Sequence, residues 1–308
     1  MSFNLKKENI CGYLVSPSMK KVWKTEMDMV DLLLGICKKH GLFVYATSGT
    51  LLGAIRHNGF IPWDDDIDFV MMRKDYDKLL ALPSSELPHG YFLQTYKTEK
   101  KYMNGHAQIR NSGTTALLMN SKTDLDLGKN CGVFIDIFPL DDVFPGSKKQ
   151  KRTDKKITFL RKMLSFRLYW KDSNSVLHAF AKHLISGFYF LFHGFEKTIR
   201  KIDTLAKLQN GKSEYVAVET FAPGNPHEVF RKEWFQSSQL HQFENMQIPI
   251  PQGFDSELKT EYGDYMAIPK DKNGSFHGTA FFDCDQPFSN YQKKSRKEIQ
   301  ALAASAIK

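Results

Sequence analysis

Residues 48–73 read SGTLLGAIRHNGFIPWDDDIDFVMMR, and the fold turns on how that stretch is parsed. Ser48, Gly49 and Thr50 form a small-residue turn, and residues 51–56 suit a short helix behind it. Backbone N–H groups at a turn that opens a helix favour an anion, so Ser48, Gly49 and Thr50 are candidate phosphate contacts. A loop through Gly59 and Pro62 then leads to four acids in five residues, Asp64, Asp65, Asp66 and Asp68. Ile67 and the apolar residues 69–72 read as a buried strand. Alternation along such a strand places Asp64, Asp66 and Asp68 on one face and Asp65 on the other.

Three carboxylates on one face of a half-buried strand repel one another unless they take up protons or a cation. Hard divalent ions such as Mg²⁺ or Mn²⁺ take oxygen ligands, and Mg²⁺ commonly shares them with substrate phosphates. The pattern therefore predicts a metal site that works on a phosphate. A merely solvated acidic loop is the ordinary reading of a charge run, but these acids lead straight into an apolar strand. An EF-hand calcium loop is excluded, because Phe69 stands where it needs glycine and Asp75 where it needs glutamate. Arg56, between the turn and the acids, is a candidate to hold a phosphate or to pair with an aspartate. Trp63 is assigned to the core, with the wall of a ligand pocket as its other reading.

Upstream, Ser16-Pro17 starts a helix predicted to run through Val22, Val30, Leu33, Leu34 and Cys37 to a stop at Gly41. Residues 42–46 are then a strand that delivers the chain to the turn. Downstream, residues 73–82 read as a helix closed by Pro83, and 91–96 as a strand. Residues 108–110 and 114–118 are expected to form a hairpin across Asn111-Ser112-Gly113. Arg110 in that hairpin is a second phosphate candidate, with an exposed surface arginine as the alternative. Residues 131–142, CGVFIDIFPLDD, form a nearly continuous apolar strand with Asp136 in its middle. A carboxylate there costs several kcal/mol unless it is paired or metal-bound. Asp141 and Asp142, beyond Pro139, are expected in a loop.

Residues 148–171 change character, with ten Lys or Arg against one acid, Asp154. Ile157, Leu160, Leu164 and Leu168 run an apolar stripe along the same segment. Such a basic amphipathic helix either packs its stripe on the main domain or lies on an anionic membrane. The insertion continues to about residue 208, past the aromatic run at 188–190. Mixed structure returns at 215–218 and 229–235, residues 254–262 read as a helix, and the alternating prolines of 247–251 rule out a central strand there. The organisation that results is a catalytic core in 1–147, a basic helical insertion in 148–208, and a segment in 209–308 that completes the catalytic domain.

Composition is that of an ordinary soluble globular protein, and the net charge of +9 points to an anionic partner: nucleotide, phosphorylated glycan, membrane surface or nucleic acid. No nucleic-acid motif is present, so nucleic acid is not expected. Cys11, Cys37, Cys131 and Cys284 are widely spaced, against both a zinc site and a disulfide framework. The first residues lack the apolar core of a secretory signal, and the apolar run at 184–195 is too short to span a bilayer. The expectation is a cytoplasmic protein, with peripheral contact at the inner face of the membrane through 148–208 as an option.

The block SGTLLGAIRHNGFIPWDDDIDF closely resembles the signature of the LicD family, which includes bacterial phosphorylcholine transferases and is related to the fukutin group. FIDIFPLDD at 134–142 and FDSELKTEYGDYMAIP at 254–269, with His277 after it, resemble two further blocks of that family. The resemblance implies an α/β (α+β) fold, a mixed sheet of the nucleotidyltransferase type flanked by helices. It implies that Asp66, Asp68 and Asp136 are the catalytic acids and hold Mg²⁺ or Mn²⁺, with Asp64 as a further ligand or an outer-shell partner. The implied reaction moves phosphorylcholine from CDP-choline to a sugar hydroxyl of a cell-surface glycan, releasing CMP; the acceptor is a teichoic acid, a lipopolysaccharide or a lipid-linked precursor. Asp136 is favoured to accept the hydroxyl proton. A quaternary ammonium calls for aromatic faces, and Trp63, Tyr262 and Tyr265 are candidates. Two other readings stand beside this one: transfer of a different headgroup, such as an alditol phosphate, by the same metal site, and a non-enzymatic polyanion-binding module. For Tyr262, Asp264, Tyr265 and His277, pocket lining and ordinary packing are equally open.

Overall fold

The computed structural model describes residues 3–117, 121–169, 175–269 and 281–306; His277 lies outside them. The chain enters through a ribbon of β1 (Glu8–Ile10) against β2 (Tyr13–Val15). The long helix α1 (Pro17–His40) follows, capped where the sequence indicates. The Ser16 hydroxyl accepts from the Met19 N–H, Pro17 fills the first turn, and Gly41 ends the helix at φ +62°. Next come β3 (Tyr45–Ala46), α2 (Ser48–His57), β4 (Asp68–Met72) and α3 (Arg73–Leu79). After β5 (Tyr91–Gln94), β6 (Ala107–Asn111), β7 (Thr115–Leu117) and α4 (Ser121–Asp126), the chain forms its longest strand, β8 (Val133–Val143).

β8 is the spine of a seven-stranded mixed sheet. β4 runs parallel along one edge of it, with β3 antiparallel beyond. On the other edge, β6 pairs antiparallel with the first half of β8 and carries β5 outside it. The second half of β8 pairs with β9 (Tyr215–Ala217), and β9 with β10 (Val229–Arg231). Val133, Ile135 and Ile137, on one face of β8, belong to the main core together with α1 residues such as Trp23, Met27 and Leu33. The opposite face, through Phe134, Asp136 and Phe138, borders a cavity.

Two expectations are corrected here. The 108–118 hairpin does not form: β6 pairs with β5 and β8, while β7 pairs with the distant β13 (Phe281–Asp283). Asp141 and Asp142 are not in a loop either, because β8 runs through Pro139 to Val143. The Asp136 N–H donates to Ile67 O on the β4 side. By alternation, position 139 faces the other edge, where β6 has ended at Ile137 and β9 begins only at Asp141. Proline therefore costs the sheet no hydrogen bond at that position. Asp141 is buried and paired with Arg73, whose Nε lies 2.8 Å from Oδ1.

The described residues of 148–208 form three α-helices, α5 (Lys148–Leu168), α6 (Val176–Phe192) and α7 (Phe195–Ala206). α5 and α7 share a small core of Ile157, Leu160, Leu164, Ile199 and Ile202. Arg73 also reaches Asp203 of α7 at 3.0 Å, tying the insertion to the sheet. The ribbon of β11 (Ser238–Phe243) and β12 (Met246–Pro251), then α8 (Phe254–Tyr262) and α9 (Arg296–Ala306), complete the chain. The fold is mixed α/β, as expected. Among the described residues no helix is long and apolar enough to cross a membrane.

Candidate active site

Register builds the floor of the cavity. Asp68 of β4 pairs with Asp136 of β8, and Asp136 pairs on its other side with Gln108 of β6. Side chains at paired positions leave a sheet on the same face, so the three project together. Gln108 Nε2 donates to Asp136 Oδ1 at 2.7 Å. His106 Nε2 lies 2.9 Å from the same oxygen, close but poorly aligned, so it counts as a contact and not as a second hydrogen bond.

The other acids come from the loop between α2 and β4. Asp64, Asp65 and Asp66 each offer an oxygen, and the three lie within 4.8 Å of one another. This corrects the expected alternation: β4 begins only at Asp68, so residues 64–67 are not strand and Asp65 is not turned away from its neighbours. The loop is pinned by Trp23 of α1, whose Nε1–H donates to Asp64 O at 3.0 Å and whose ring stacks on Phe60. The Thr50 hydroxyl accepts the Asp68 N–H at 2.8 Å, fixing the start of β4 against α2.

Gly49 matters by its emptiness. A Cβ there would stand 2.7 Å from Asp64 Oδ2, so only glycine lets that carboxylate lie against the helix start. Ser48 before it holds φ +47°, a left-handed conformation a serine seldom adopts. Strain of this kind collects at functional sites.

The cavity has a volume of about 710 Å³, and its lining includes Asp64, Asp66, Asp68 and Asp136. Burial, and next the charges of Asp66, Asp136 and Asp64, push the Asp68 carboxyl well above the usual range. Glu26 of α1 is buried behind the loop and raised by burial and then by Asp66, Asp65 and Asp64. Glu261 of α8 also lines the cavity, pushed up to about 7, mainly by burial. Oxygen donors crowded until their protons are held too tightly are the donor set a hard divalent cation fits.

Residues 41–171 match the family described as LicD/FKTN/FKRP, nucleotidyltransferase domain. The likeness to that domain covers residues 41–171, less than half of the chain. Along 274 residues it is 26% identical to the lipopolysaccharide cholinephosphotransferase LicD of Haemophilus influenzae, covering 84% of this chain and 97% of that protein. Two uncharacterized proteins, from Rickettsia prowazekii and Rickettsia typhi, are 51% identical over 37 residues. That match covers 12% of this chain and 14% and 12% of theirs.

Within residues 41–171, Ser48, Gly49 and Arg56 line the cavity, whereas Thr50 is buried beneath it and acts on the Asp68 backbone. Arg56 Nη1 donates to Tyr265 O at 2.9 Å, holding the segment after α8 over the site. Arg110 is a correction. It is neither on the surface nor on the cavity wall, but buried with hydrogen bonds to Gly132 O, Gln94 and Gln108, its guanidinium 4.5 Å from the centre of the Phe134 ring. Through Gln108 it braces Asp136 instead of meeting a ligand. Trp63 does both things the sequence allowed, packing against the main core and lining the cavity, and Tyr262, Asp264 and Tyr265 line it too. Sequence reading missed His106, Gln108, Glu26 and Glu261. The only available signal was spacing, His106 and Gln108 being two apart and so on one face.

Proposed function

We propose that this protein is a metal-dependent transferase that moves phosphorylcholine from CDP-choline to a sugar hydroxyl of a glycan and releases CMP. The observation that carries the reading is the meeting of acids from the 64–66 loop, β4 and β8 in one cavity of a LicD-family domain. The cavity's lining is also rich in aromatics, Trp63, Tyr262 and Tyr265 among them. The similarity to a lipopolysaccharide cholinephosphotransferase supports the headgroup and the class of acceptor. A teichoic acid or lipid-linked precursor is the same chemistry on another carrier, and we place the reaction in the cytoplasm.

In this reading Asp64, Asp65 and Asp66, with Asp68 and Asp136, hold Mg²⁺ or Mn²⁺. The bound cation supplies charge neutralisation for the donor diphosphate and its leaving group. Ser48 and Gly49, at the start of α2, contact the phosphates through backbone N–H groups. Asp136 accepts the acceptor's hydroxyl proton, its carboxylate oriented by Gln108. Trp63, Tyr262 and Tyr265 face the choline ammonium, whose attraction to ring faces is worth roughly 0.5–2 kcal/mol. That lining favours choline over an alditol, which has no charge for the rings to bind.

The test is CMP release from a panel of CDP-linked donors, with Mg²⁺ or EDTA, with and without acceptor glycan. CDP-choline should be turned over in preference to CDP-linked alditols, and EDTA should abolish the reaction. Equal turnover of both donors, or turnover in EDTA, counts against this reading.

A further inference from the structure

Charge and apolar surface are distributed unevenly in this chain. Residues 148–208 hold fifteen Lys and Arg against four Asp and Glu, a balance of +11. The other 247 residues hold 28 against 30, so the insertion carries more than the whole net charge of +9. On the same insertion, α6 leaves an apolar face uncovered. Leu177, Phe180, Leu184, Phe188, Leu191 and Phe192 are each more than half exposed, and Phe188 and Leu191 are 69% and 74% exposed. Their spacing of three, four, four, three and one puts them on one side of the helix. The other side packs inward through Ala179, Ser186 and Tyr189. Monomeric soluble proteins seldom leave so large a contiguous apolar area exposed without a partner.

The chemistry around that face selects the partner. Phe159 of α5 is 48% exposed and meets Tyr189 of α6 edge-on at 5.9 Å. Lys155 and Lys162 lie about one turn of α5 to either side of Phe159, and all three line one surface groove. On α6 itself, Lys182 Nζ sits 5.7 Å from the centre of the Phe166 ring. An apolar face on an insertion of net charge +11 suits a surface that is greasy within and negative at its rim. A second copy of the insertion brings another +11 to the contact and is repelled. At 17 residues α6 is about 25 Å long, shorter than the hydrocarbon core of a bilayer and held to α5 along its other side. It is too short to cross a bilayer.

We infer that α6, with the lysines of α5 beside it, is a docking surface for an anionic phospholipid bilayer. The insertion that docks also touches the wall of the acid-lined cavity through α5. Arg161 of α5 donates to Thr220 O and lies 5.4 Å from the centre of the Phe221 ring, and Phe221 lines that cavity. An acceptor glycan carried on a lipid would then enter from the membrane side. The docking itself does not depend on the proposed reaction, since vesicle binding is read without turnover.

The experiment is co-sedimentation of the full chain with vesicles of phosphatidylcholine alone and of phosphatidylcholine mixed with phosphatidylglycerol. The wild type should pellet with the anionic vesicles and much less with the neutral ones. L184E/F188E should lower the partition coefficient at least about tenfold with an unchanged Tm. K155E/K162E should erase the preference for anionic lipid. As a reporter that tolerates an altered stability, the tryptophan fluorescence of a Phe188→Trp chain should rise in anionic vesicles and be quenched by brominated acyl chains. Three results would overturn the inference: no pelleting with anionic vesicles, undiminished pelleting of L184E/F188E, or a dimer in light scattering that the same double substitution dissolves. The last would assign the face to a second copy.

Discussion

Phe221 borders two regions of opposite character. Its ring lines the cavity that Asp64, Asp66, Asp68 and Asp136 share, and against it lies Arg161 of the strongly basic insertion. In the cavity each acid has a place fixed by register or by a named hydrogen bond: Asp68 by Thr50, Asp136 by Gln108, and the 64–66 loop by Trp23. In the insertion the charge is spread over exposed lysines whose exact positions matter little. Single substitutions should therefore be severe in the first region and slight in the second, where only sums of charge and apolar area count.

The largest expected effect is Asp136→Asn. Transfer should fall by roughly 10³-fold with the Tm kept or raised, because a carboxylate leaves a crowded site. A fall of less than tenfold would remove Asp136 from the reaction. Gly49→Ala comes next, with a loss on the order of 10²-fold and little change in Tm, since the new methyl meets only the Asp64 carboxylate. Steady-state kinetics beside thermal melts separates that outcome from general unfolding. Arg73→Ala tests the seam between the regions. It leaves Asp141, buried in β8, with Asn210 but without its guanidinium partner, and takes one cation from Asp203 of α7, so denaturant titration should show a loss of about 3–5 kcal/mol.

A smaller effect belongs to Glu257 of α8. Burial pushes its carboxyl up to about 8, with the Thr47 hydroxyl bond at 2.6 Å opposing that only in part. The folded state then binds the proton more tightly than the unfolded chain, whose glutamate titrates near ~4.3. The contribution of Glu257 to stability is complete below that value and is lost as pH rises through about 8. Melts between roughly pH 5 and 9 should show the wild type weakening toward alkaline pH and Glu257→Gln weakening less. Smallest of all, Lys156→Ala on exposed α5 should move stability by no more than about 0.5 kcal/mol. A larger shift there would break the contrast drawn between the two regions.

Local signals told most of the fold. Ser16, Pro17 and Gly41 mark α1 because capping depends on neighbours in the chain, and residues 254–262 show their helix for similar reasons. What pairing alone decides was not legible. Pro139 stays inside β8 because one edge of that strand is empty between β6 and β9, a fact about three distant segments. Arg110 looked like a surface or ligand arginine until β6 was placed beside β8, which buries it under Gln94 and Gln108. The acids of residues 64–68 stood out by density, whereas Glu26 and Glu261 are single glutamates on helices whose positions only packing reveals.

The central claim is that Asp64, Asp65 and Asp66, together with Asp68 and Asp136, grip one divalent cation beside the donor diphosphate. Mn²⁺ binding followed by loss of the free-ion paramagnetic resonance signal tests it most directly, with CDP-choline present. The account expects the wild type to take up Mn²⁺ and both Asp66→Ala and Asp136→Asn to bind it at least about tenfold more weakly. Uptake by those variants at wild-type strength, or none by the wild type, would contradict it.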